Sequence, residues 1–149
     1  MKWMEDEFIS NGKLFTILDL ELYLDKEGLS KTLAGLNEKV RTIVGYHLHF
    51  DFFFMAGVFP GIASICMLVR ERVNKSLIRN VLFALASLQL AAWSFDIYEN
   101  LHLIKWLKHP ETIDGIGFFH LLVKLKFIIA ITGILASAIA FIFFKTGKR

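Results

Sequence analysis

Polar side chains of the kinds that bind protons and cations interrupt the apolar runs of this chain. Asp51 stands in Phe50-Asp51-Phe52-Phe53-Phe54, and Asp96, Glu99 and Asn100 stand in Asp96-Ile97-Tyr98-Glu99-Asn100. Lys124 and Lys126 lie in the last apolar run. Positions 96, 99 and 100 are spaced i, i+3, i+4 and share one helix face, which Gln89 extends by a heptad. Lys126 heads a stripe of small residues, Ala130, Gly133, Ser137 and Ala140, the face on which a helix packs closely against a neighbour. Lys124 lies about 200° away around the helix and is expected to snorkel outward. Lys126 is therefore the expected buried cation, with Asp51, Asp96 and Glu99 as its candidate partners. Three carboxylates around one or two lysines leave a surplus of negative charge unless a carboxyl keeps its proton. The binding set is Asp51, Asp96, Glu99, Asn100 and Lys126, and its chemistry suits a proton, a metal cation or a cationic head group.

The histidines offer a second chemistry. His47 and Asp51 are spaced i, i+4, and with His102 and His120 they are the candidate ligands for zinc or another divalent ion; two axial histidines could also hold a haem. No His-Glu-x-x-His or Cys-x-x-Cys-His pattern sharpens this signal, and interfacial histidine is its plainer explanation. The sequence has no Gly-x-Ser-x-Gly elbow and no phosphate-cradling Gly-rich loop. Asp96 and Glu99 could in principle act as acid and base, and nothing beyond their residue types argues for it. The single Cys66 excludes an intramolecular disulfide framework and a Cys-based zinc motif, and it reads as core packing.

Elements that could position these groups follow from composition. The 149 residues are 55% hydrophobic and 21% charged, with a mean hydropathy of +0.52, which excludes a disordered chain and an ordinary soluble domain. The length fits one compact unit, and a net charge of +3 argues against nucleic acid as a partner. Crossing a hydrocarbon core takes about 20 helical residues, and three stretches suffice, near 47–69, 77–107 and 118–144. Three segments cannot close a barrel, so all three are expected to be helices. Pro60 is expected to kink the first, with Gly57 and Gly61 allowing close approach of a neighbour.

Residues 1–46 then form an N-terminal segment and 47–149 a three-helix bundle. Leu18-Asp19-Leu20-Glu21-Leu22-Tyr23-Leu24-Asp25 alternates with period two, which favours an extended, half-buried stretch over the alternative, a surface helix. Leu29, Leu33, Leu36, Val40 and Val44 follow at helical spacing, predicting an amphipathic helix that leads into the first span and breaks near Asn37. This arm reads as an interfacial collar or lid, or as a plain cover for the bundle. The acidic start, Met1-Lys2-Trp3-Met4-Glu5-Asp6-Glu7, is unlike a cleavable secretory signal. Arg70, Arg72, Lys75 and Arg79, with Lys145, Lys148 and Arg149, place the first loop and the C-terminus in the cytoplasm, with the N-terminus on the other side.

Asp51-Phe52 before a Phe-rich turn, Asp96-x-x-Glu99-Asn100 late in the next helix and Lys126-Phe127 early in the last together resemble a family of small, uncharacterised bacterial multi-pass membrane proteins. The resemblance runs from about Leu20 to Phe144 and implies that the five polar residues act as a unit in a bacterial inner membrane. Members often begin with a further hydrophobic helix, and Met1 to Asp19 has none of that length. The fold class expected is an all-α integral membrane protein, three transmembrane helices preceded by an amphipathic, partly extended arm. A homo-oligomer is expected because three helices enclose little volume, and membrane lipids are the expected surroundings. Three functional readings follow: a non-enzymatic binding or transport module for a proton, cation or lipid head group; a metal-dependent, lipid-modifying membrane enzyme; and an assembly subunit whose polar network only fixes helix packing.

Overall fold

The computed structural model describes residues 2–144. A short helix α1 (Lys2–Glu5) precedes a two-stranded antiparallel hairpin, β1 (Ile9–Ser10) and β2 (Lys13–Leu14), with Ile9 opposite Leu14 and Ser10 opposite Lys13. Its two-residue loop is Asn11-Gly12, both at positive φ (51° and 75°), the backbone of the hairpin turn that Asn-Gly favours. A single π-helical turn (Asp19–Tyr23) follows, then α2 (Lys26–Ala34), α3 (Glu38–Arg70), α4 (Ser76–Lys108), a 3₁₀ turn (Pro110–Thr112) and α5 (Ile116–Phe143).

Helices α3, α4 and α5 are each long and apolar enough to cross a membrane. The fold is that of an all-α multi-pass membrane protein with a short strand-containing N-terminal region. Its spans match the predicted ones, except that α3 begins nine residues earlier than 47, at Glu38. The predicted amphipathic helix is thus divided. Gly35 ends α2, its N–H donating to Lys31 O, and Asn37 starts α3 by accepting from Val40 N at 2.9 Å, the usual side-chain cap of a helix start. Leu29, Leu33, Leu36, Val40 and Val44 are all buried on either side of this break.

Two sequence expectations need correction. Residues 19–23 take the helical alternative rather than the extended one: Asp19 Oδ2 accepts from the N–H and hydroxyl of Thr16, and Asp19 O accepts from Leu24 N, which closes a helical turn. The strands lie earlier, at Ile9–Ser10 and Lys13–Leu14. Gly57 and Gly61 do not meet a neighbour either, since an added Cβ at either would find open space among the described residues. The close approach is at Gly133, where a Cβ would stand 2.5 Å from Gln89 Nε2 and 3.1 Å from Ile62 Cγ2. Helix α3 continues through Pro60 without interruption.

The chain groups into two compact units, Met1–Phe53 with Ile97–Lys124, and Phe54–Asp96 with Leu125–Arg149. In the first unit the arm packs on the helices: Phe8, Leu20, Leu29 and Leu33 are buried along with Leu103, Trp106 and Phe119. Polar contacts fasten the arm as well. Ser10 Oγ donates to Thr32 O at 2.7 Å, and Arg41 donates to Leu33 O at 2.9 Å and to Leu107 O. Those carbonyls belong to the last turns of α2 and α4, where a cation satisfies orphan acceptors and opposes the helix dipole. Gly35 lets the hairpin approach closely, since a Cβ there would stand 2.4 Å from Asn11 Nδ2 and 2.7 Å from Ser10 Oγ.

The second unit has a core of small and branched residues in two clusters, Val69, Val73, Leu82 and Ala140, and Ile62, Cys66 and Ala86. Large apolar side chains such as Leu68, Phe83, Ile128, Ile131 and Ile142 are exposed around it. Such a surface suits a hydrocarbon solvent, where closely packed small residues hold helices together. Lys145, Lys148 and Arg149, on which the orientation argument partly rests, lie outside the described residues.

Candidate functional site

Helix periodicity brings Asp96, Glu99 and Asn100 onto one face of α4, and all three are at most 1% exposed. In the second unit, Lys126 on α5 reaches Asp96 on α4. Its Nζ donates to Asp96 Oδ1 at 2.8 Å, with the two side chains 2% and 0% exposed. The ammonium also lies 5.1 Å from the centre of the Phe127 ring. Lys124 is exposed, so the two lysines divide as their helical phase predicts. A fully buried ion pair of this length is a charge-assisted hydrogen bond in a low-dielectric setting.

Seven residues before Asp96, Gln89 continues the polar face. Its Nε2 donates to Ile129 O at 3.0 Å, while its buried Oε1 has no hydrogen-bond partner among the described residues. Cys66 packs in the same unit, fully buried, with Sγ accepting from Ser137 Oγ at 3.2 Å and lying 3.7 Å from Gly133 O. The small stripe below Lys126 is therefore the packing face of α5: Gly133 meets Gln89 and Ile62, and Ser137 meets Cys66.

The first unit has a different arrangement. Asn100 Nδ2 on α4 donates to Asp51 Oδ2 on α3 at 2.8 Å, both side chains being buried. Glu99 is buried on the same turn of α4 as Asn100. An amide donor solvates a carboxylate without cancelling its charge, so Asp51 is held by a neutral partner where Asp96 is held by a cation.

The candidate metal ligands are dispersed among other contacts. His47 is buried against the Phe8 ring, edge to face at 5.6 Å, and its Nδ1 has no partner among the described residues. His102 Nδ1 donates to Tyr98 O at 2.8 Å, and its ring packs on Tyr98 and Trp106. His120 lies beside Phe119 at 5.8 Å. Asp51 is engaged by Asn100. Among the described residues no three His, Cys, Asp or Glu side chains gather into a group able to hold a metal ion. The i, i+4 spacing of His47 and Asp51 therefore places two residues on one helix without recruiting a third ligand.

Two features of the first unit were not anticipated from the sequence. Arg41 acts as a clamp on two helix ends, and a run of rings links Tyr98, His102 and Trp106 on α4 with Phe118 and Phe119 on α5, Trp106 and Phe119 being its buried members. The aromatic run had a signal, the i, i+4, i+8 spacing of 98, 102 and 106. Arg41 had none, because its acceptors are backbone carbonyls distant in sequence. Comparison with protein-family models, curated proteins and solved structures gives no match.

Proposed function

We propose that this protein is a small membrane binding or transport module whose buried carboxylates and Lys126 engage a proton, a cation or a lipid head group. The observation that carries this reading is the Lys126–Asp96 pair, 2.8 Å long and almost wholly buried, on two helices of membrane-spanning length. Ionisable groups are costly at such positions and are found there chiefly on ion or substrate paths. Asp51 and Glu99, buried in the first unit, add carboxylates that could take up a proton or a cation. In this reading the protein is a homo-oligomer of the bacterial inner membrane, with the α3–α4 loop and the C-terminus in the cytoplasm, and it belongs with the small multi-pass proteins it resembles.

The test is reconstitution of the full chain in liposomes, with flux of protons, sodium and potassium and binding of lipid measured together. Asp96→Asn and Lys126→Met are each expected to abolish the activity found in the unaltered protein while helix content is kept. Unchanged flux and binding would overturn the proposal. A structural role is favoured by one observation, the Asn100–Asp51 pair, in which donor and acceptor satisfy each other inside the core. On that reading the same substitutions lower thermal stability in detergent and change nothing else.

A further inference from the structure

The loop between α3 and α4 and the first turn of α4 concentrate Arg70, Arg72, Lys75 and Arg79 around a single acidic residue, Glu71. Glu71 is shared: Arg70 Nη1 lies 2.5 Å and Arg79 Nη2 3.9 Å from its Oε1. One carboxylate between two guanidinium groups leaves the segment strongly positive. Three of the four cations stand over phenylalanine rings, Arg70 over Phe83 at 5.7 Å, Arg72 over Phe141 at 5.7 Å and Lys75 over Phe144 at 4.8 Å. A ring face attracts a cation without neutralising it, so these contacts fix where the charges stand and keep the surplus positive. Arg70 supplies a further sign of an unmet acceptor, since its buried Nε has no hydrogen-bond partner among the described residues.

The rings that seat the cations belong to the apolar surface of the second unit. Phe83 and Phe141 are exposed, as are Leu68, Leu77 and Val81 nearby. Charge held by the same side chains that face hydrocarbon lies at head-group depth, where Lys and Arg are drawn to anionic lipids. A phosphodiester supplies the negative charge and the acceptor oxygens, and its acyl chains cover the phenylalanines and leucines. A soluble phosphate would meet only the first requirement, and the choline of a zwitterionic lipid opposes it. We infer that the α3–α4 loop is a binding site for the phosphate-bearing head group of an anionic phospholipid. This site is independent of the carboxylates and Lys126.

The experiment is native mass spectrometry of the full chain in mild detergent, titrated with phosphatidylglycerol and phosphatidylcholine of identical acyl chains. The unaltered protein is expected to retain phosphatidylglycerol at least tenfold more strongly than phosphatidylcholine. Combined Arg70→Gln, Arg72→Gln, Lys75→Gln and Arg79→Gln should remove that preference, and Lys105→Gln with Lys108→Gln, in the other loop, should leave it intact. Should the fourfold variant not fold, Arg72→Gln with Lys75→Gln, at two exposed positions, is expected to lower the preference severalfold. Equal retention of the two lipids by the unaltered protein overturns the inference, as does an undiminished preference in a folded loop variant. Inorganic phosphate bound as tightly as phosphatidylglycerol would also overturn it, by showing that the acyl chains contribute nothing.

Discussion

In the second unit a cation meets a carboxylate, Lys126 on Asp96, on helices joined by small residues. In the first unit a carboxylate meets an amide, Asp51 on Asn100, within a core of aromatic rings and a packed N-terminal arm. The ion pair suits a region whose outer surface is apolar, because opposite charges in contact reduce the cost of keeping either in low dielectric. The amide pair gives its carboxylate a hydrogen-bond donor but no counter-charge. Cover differs in the same sense. The arm packs on the first unit with side-chain and backbone hydrogen bonds, while the second has exposed apolar side chains around it.

This contrast can be broken most severely at Lys126. Lys126→Met leaves Asp96 buried without its cation and is expected to cost about 3–5 kcal/mol, read by equilibrium unfolding in mixed detergent. Adding Asp96→Asn should recover much of the loss, because a neutral pair needs no counter-charge. An additive double variant would show that the two side chains do not depend on each other. In the first unit Asn100→Leu removes one amide donor from Asp51 and should cost about 1–3 kcal/mol. A loss as large as that of Lys126→Met would mean that the two units bury charge at equal risk, contrary to the comparison.

The glycines give the smallest and sharpest test. Gly133→Ala places a methyl group against the Gln89 amide and displaces it from Ile129 O, an overpacking cost of about 1–3 kcal/mol. Gly57→Ala fills open space in a helix and should be neutral or stabilising by up to about 1 kcal/mol. The measurement is the same unfolding titration, run at two protein concentrations. A concentration-dependent loss at Gly57→Ala would show that this face of α3 packs on a second copy.

Much of the fold was legible in the residues. Run length and apolarity located three spans to within a few residues at most ends, and the early start of α3 was hidden only because its first turns are amphipathic rather than apolar. The hairpin was legible too, in Asn11-Gly12, yet the alternating residues 18–25 drew attention as the extended stretch. Asp19, whose carboxylate accepts from Thr16, turns that segment into a helical turn instead. Alternation records which side chains face the same way in a strand, and it cannot register a local hydrogen bond that bends the chain first.

Sequence by itself determined which residues share a face: Asp96, Glu99 and Asn100 on α4, Lys126 with the small stripe on α5, and Leu29 to Val44 along the arm. Helical geometry sets those phases, so they needed no knowledge of neighbours. Tertiary structure alone decided the partners. It gave Asp96 to Lys126 within the second unit, gave Asn100 to Asp51 within the first, made Gly133 rather than Gly57 or Gly61 the close contact, and set His47 against Phe8 while His102 and His120 flank the Trp106 and Phe119 rings. Each of these depends on the axial register and rotation of one helix against another, which side-chain packing fixes and a single helix does not encode.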